Sequence, residues 1–193
     1  MSEREVSVKR TTKARGSMSA AAGIVPKKQY SLREIYRITW LAALTMMGSR
    51  GLRCDRLAAE RVMLAVTEVN GCALCSYGHA RMALDMGMSD TEVRGLLGGV
   101  TADAPVAELP GIAFGQLYAD TRGHPEPQAW ADLVEHYGQP RALCVLRAAR
   151  MMMWGNAMGI PLSSLIARLR GTPDANSSLN YECGTTLGGL VLL

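Results

Sequence analysis

Aromatic residues are scarce: Phe, Trp and Tyr make up 5% of 193 residues, with a single Phe. No stretch reaches the ~20 apolar residues that span a bilayer, which excludes a membrane-spanning helix. No segment alternates apolar and polar positions convincingly enough to mark a strand, and no internal repeat is present. No second C-x-x-C accompanies the one in the chain, so a paired-cysteine zinc site is disfavoured. What remains is rich in Ala, Leu, Met and Arg, all good helix formers, with 12 Met and 48% hydrophobic residues. Length and composition point to one all-α domain with a sizeable core.

The net charge of +4 is unevenly placed. Residues 1–28 carry seven Lys or Arg against two Glu, leaving the remainder close to neutral. A basic arm reads either as a tether to nucleic acid or a membrane surface, or as a flexible leader. The arm has no interleaved aromatics, so the leader is the expectation, with neither nucleic acid nor membrane as partner. The apolar run at 20–25 is too short for a secretory signal. The expected location is cytoplasmic, where a cysteine pair is more often catalytic than structural.

The expected domain covers 29–171. Ser31 and Glu34 form a capping box for a helix to about residue 47, with Ile35, Ile38, Leu41, Ala42 and Thr45 inward. Further helices are expected over 55–69, 72–86, 89–97, 106–121 and 128–137. A nearly apolar helix over 140–158 is followed by a short one over 160–170. Cys144 in the long helix reads as an inert buried thiol. His124 reads as an exposed loop residue and His136 as a partner of a helix C-terminus. Residues 172–193 return to Gly, Ser, Asn and Thr and read as a tail, carrying Cys183.

The stretch that carries chemistry is TEVNGCALCSYGHA, residues 67–80. Asn70-Gly71 breaks one helix and the next begins near Cys72. Cys72, Cys75 and His79 are spaced i, i+3, i+7 and project from one face. The Cα atoms of an i, i+3 pair fall in the range a disulfide accepts, about 4.4–6.8 Å. The slightly wide Cβ spacing predicts a bond that forms under strain and is easily reduced. Both sulfurs sit in a first helical turn, where free N–H groups favour thiolate. Upstream, Glu60 lies on an apolar face with Leu57, Met63 and Leu64. A carboxylate there must be hydrogen-bonded or share a proton, which suits a proton acceptor. Glu68, eight residues on and turned about 80° around the helix, is the second choice. Met82 and Ala83 are expected in the core, and Tyr77 is expected to pack.

The pattern Glu60, eleven residues, Cys72, two residues, Cys75, three residues, His79 resembles the motif of the alkylhydroperoxidase D-like (carboxymuconolactone decarboxylase) family. The helical layout from about residue 31 to 170 is also similar. The resemblance implies a compact multi-helix bundle of that type, assembled as a homo-oligomer (trimer or hexamer), acting as a thiol peroxidase or disulfide reductase. It implies Cys75 as the peroxidatic cysteine, Cys72 as the resolving one, and Glu60 with His79 as a proton relay. The implied partners are a hydroperoxide substrate and an external dithiol, a lipoyl group or a thioredoxin-like protein, with no bound cofactor. Leu74 stands where the best-known peroxidase branch has a histidine, a departure that touches the full relay more than the redox pair. Branches that decarboxylate lactones lack the cysteine pair.

Other readings stay open. Cys72 and Cys75 could be a zinc half-site completed from His79, Cys54 or Glu60, or two buried thiols acting as small hydrophobes. The chain could be a non-peroxidase enzyme of the family acting on a small acid, or a redox sensor.

Overall fold

Local signals set the helix ends. In the computed structural model, which describes residues 27–191, Ser31 caps α1 (Leu32–Gly48). Its hydroxyl accepts the Glu34 N–H, and the Glu34 carboxylate accepts the Ser31 N–H in return. Asp55 caps α2 (Arg56–Asn70) by accepting the Leu57 and Ala58 N–H groups. Gly71, at φ 71°, ends α2 in the left-handed conformation that glycine adopts without steric cost. Cys72 then caps α3 (Ala73–Asp85), and Ser89 caps α4 (Asp90–Leu97). A 3-10 turn, Val106–Glu108, leads into α5 (Leu109–Asp120). α6 (Pro127–Tyr137), α7 (Gln139–Leu169) and α8 (Leu179–Val191) complete the order. Among the described residues every regular element is helical, in line with the all-α expectation. None of these helices is long and apolar enough to cross a membrane.

The expected arm, 1–28, lies outside the described residues except for its last two lysines. Both are fastened to the domain. The Lys27 ammonium is 3.1 Å from the Asp174 carboxylate, and the Lys28 N–H donates to the Asn70 carbonyl at 3.0 Å.

α2 and α7 are the centre. α2 is buried on most sides through Val62, Leu64, Ala65, Val66 and Thr67, the pattern of an interior helix. It packs on α5, α7, α3 and α4, while α7 also meets α1, α6 and α8. The main core combines Ile35 and Ile38 of α1, Phe114 and Tyr118 of α5, and Met152, Met153 and Ile160 of α7. A smaller cluster of Leu64, Ala83, Leu96 and Ile112 seals α2 against α3, α4 and α5.

Four sequence expectations are corrected. The helices expected over 140–158 and 160–170 are one, running through Pro161. Proline there removes an N–H that would bond to Ala157, but Ala157, Gly159, Ile160, Pro161 and Ser164 are all buried, and packing overrides the local penalty. The tail carries α8, whose poor helix formers are held by tertiary contact. The buried Glu182 carboxylate accepts from Arg168 at 2.7 and 3.0 Å, and Ser178 accepts the Tyr181 N–H at its start. Cys144 is no free thiol: it is bonded to Cys54, 90 residues away, with the Cα atoms 5.5 Å apart. Met82 and Tyr77 are exposed and outside the core, because the inward stripe of α3 runs through Cys75, His79 and Ala83.

Candidate functional site

Three helices converge on the cysteine pair. Cys72 is fully buried at the start of α3, and its Sγ accepts the Cys75 N–H at 3.3 Å. The sulfur thus does the work of an N-cap oxygen, satisfying one of the donors a helix start leaves free. Cys72 and Cys75 are joined by a disulfide, with Cα atoms 5.3 Å apart. Cys75 is partly exposed as a residue, so the two cysteines differ in burial.

One turn along α3, His79 meets Glu60 of α2. Its Nδ1 lies 2.5 Å from Glu60 Oε1. The Glu60 side chain is 5% exposed and that of His79 22%. The buried carboxyl group is therefore partnered, as a polar group in such a place must be, and the imidazole connects it toward solvent. A carboxylate at one ring nitrogen fixes the orientation of the other. The four residues singled out in the sequence are brought together on adjoining turns of α2 and α3. Glu68, the second choice, sits elsewhere: a Cβ at Gly99 would lie 3.2 Å from its Oε1, in the turn after α4.

The third wall is α7, and the sequence reading missed it. Gly159 lies directly against the pair; a Cβ there would come within 2.8 Å of Cys75 Sγ and 3.0 Å of Cys72 Sγ. The Gly155 carbonyl oxygen is 3.8 Å from Cys75 Sγ, an acceptor for the thiol proton once the pair is reduced. Asn156, next to it, is fully buried. Its Oδ1 accepts from Thr67 Oγ1 at 3.4 Å, and its Nδ2 has no hydrogen-bond partner among the described residues. The available signal was the pair of isolated glycines in an otherwise helical apolar pattern, which marks close packing.

The remaining candidates lie apart. Leu74 is 47% exposed on the outer face of α3. His124 is exposed, and His136 is exposed with its ring edge-on to Tyr137, centroids 4.7 Å apart. Cys183 is a free, partly buried thiol on α8. Cys54, weighed as a zinc ligand, is committed to Cys144. A buried cluster also absent from the sequence reading joins Arg61 to Glu92 at 2.5 Å and to Glu108 at 3.1 Å. Burial alone pushes the Arg61 guanidinium down, but the two carboxylates more than offset this and raise it. It ties α2 to α4 and to the turn before α5.

Compared with known proteins, the chain matches no family model and no curated protein.

Proposed function

We propose that the protein is a thiol-dependent hydroperoxidase and disulfide oxidoreductase of the alkylhydroperoxidase D-like kind. The observation that carries this reading is the Cys72–Cys75 disulfide at the head of α3, one turn from a buried Glu60–His79 pair at 2.5 Å. In the dithiol form, the Glu60–His79 pair accepts the Cys75 thiol proton. The thiolate attacks the terminal oxygen of a hydroperoxide, and the O–O bond breaks. The alkoxide takes the proton and leaves as an alcohol, and Cys75 becomes a sulfenic acid. The Cys72 thiol attacks that sulfur, water departs, and the disulfide forms. An external dithiol restores the pair by two exchanges and is itself oxidised to a disulfide. The partly exposed Cys75 is the sulfur such a reductant reaches.

Burial supports the division of labour. Cys72 is fully buried, suited to resolving an intermediate, and Cys75 is the partly exposed member of the pair, with Gly159 packed against both sulfurs. A second reading, disulfide exchange without peroxide turnover, draws on Leu74: a half-exposed apolar side chain adds no further proton donor beside Cys75. The expected homo-oligomer belongs to the same proposal. Tyr36, Trp40, Leu44 and Met47 form one exposed ridge on α1 that a second copy could cover.

The test is peptide mass spectrometry after one equivalent of cumene hydroperoxide on the reduced chain. The proposal expects a Cys72–Cys75 disulfide, its reversal by a dithiol, loss of turnover in Cys75→Ser, and a trapped sulfenic acid on Cys75 in Cys72→Ser. Persistence of peroxide beside two reduced thiols overturns the peroxidase reading. Efficient reduction of a model disulfide in the same sample favours the exchange reading.

A further inference from the structure

A cleft of about 440 Å³ opens away from the thiol pair, between the loop ahead of α2 and the start of α7. Its volume is within the ~300–1,000 Å³ usual for small-molecule sites. The floor is apolar: Ala58, Ala59 and Val62 of α2 face Val145 of α7 across it. Most polar groups at its edge are already committed. Asp55 accepts two N–H groups of α2, and Glu108 is paired with the buried Arg61. The Tyr137 hydroxyl donates to the Ala107 carbonyl at 2.8 Å and accepts the Gly111 N–H at 3.1 Å.

Two cations remain. Arg53 and Arg141 both line the cleft, and among the described residues neither has a carboxylate partner. The Arg141 guanidinium lies over the Tyr137 ring, 4.3 Å from its centroid, which holds it at the rim. The Cys54–Cys144 disulfide fixes the spacing between them. Arg53 immediately precedes Cys54, and Arg141 is three residues before Cys144, on the same face of α7. The bridge thus sets the loop bearing one arginine against the helix bearing the other, and such preorganisation lowers the ordering cost of binding.

We propose that this cleft binds a small organic carboxylate with an apolar body. The carboxylate is held by Arg53 and Arg141, whose planar guanidinium donors match a carboxylate. The apolar body lies on Ala58, Ala59, Val62 and Val145. The site is separate from the thiol pair: Cys144 and Gly159 are about 22 Å apart along α7 at 1.5 Å per residue.

Isothermal titration of the full oxidised chain with sodium octanoate, 1-octanol and octylamine tests this. The expected result is saturable octanoate binding at least tenfold tighter than that of either comparator. In the Arg53→Ala/Arg141→Ala variant, checked for an unchanged melting temperature, octanoate affinity falls at least tenfold. Ala58→Phe, which fills the floor, removes binding. Absence of octanoate binding, equal affinity for octylamine or octanol, or undiminished affinity in the double arginine variant overturns the proposal.

Discussion

Gly159 is the residue on which the thiol site turns. An alanine methyl would stand 2.8 Å from one sulfur and 3.0 Å from the other, and two bonded sulfurs cannot swing aside independently. Either α3 shifts off α7 or the bond opens. Overpacking of this kind costs about 1–3 kcal/mol, and the oxidised form bears it, since free thiols can rotate away. Gly159→Ala is therefore expected to lower the melting temperature of the oxidised protein more than that of the reduced one. It should also shift the Cys72–Cys75 couple toward the dithiol in a redox titration. Equal destabilisation of the two forms would mean that the glycine serves helix packing alone. The same residue shows where the sequence was silent. Cys72, Cys75 and His79 could be placed together by counting along one helix, and Glu60 stood out as a carboxylate on an apolar face. Gly159 is 84 residues from Cys75 in the chain, and no spacing rule connects them.

At the scale of elements, the helix starts at Ser31 and Ser89 and the stop at Gly71 were readable because caps are local chemistry. The long α7 and the late α8 were not, because both depend on what packs against them. α8 shows this most clearly. It is rich in weak helix formers, and its anchor is the ion pair between Arg168 and Glu182. The Arg168 guanidinium, bonded to both carboxylate oxygens, holds the Glu182 carboxyl below the usual glutamate range. A carboxyl depressed on folding stabilises the fold fully above its unfolded value, about 4.3. That contribution is lost as pH falls through the lower folded value. Asp174 shifts in the same direction, through the Asn176 N–H and then Lys27. Hydrogen exchange is expected to show α8 losing protection as pH falls below the ordinary glutamate value of about 4.3, while α2 keeps its own. Arg168→Gln should remove the protection of α8 already at neutral pH. Loss of protection in α2 and α8 together would mean that α8 opens only with the whole domain.

Across the whole molecule, the Cys54–Cys144 bridge has the longest reach. It closes a loop of 90 residues that contains α2 to α6. Chain entropy alone puts closing a loop of that length at about 4–5 kcal/mol, and disulfides typically deliver about 2–4 kcal/mol. Cys54→Ser/Cys144→Ser is expected to lower unfolding free energy by that amount in urea, leaving the Cys72–Cys75 pair able to form. A change below about 0.5 kcal/mol would contradict it. Bridges of this structural kind persist mainly in oxidising compartments.

The sulfur of Cys72 caps α3 by accepting the amide proton of Cys75, so that proton senses the electrons on its neighbour. A thiolate is a stronger acceptor than either a thiol or a disulfide sulfur, because charge strengthens a hydrogen bond. The backbone resonance of a single residue would then report each turn of the proposed redox cycle, built into the chain without any added label.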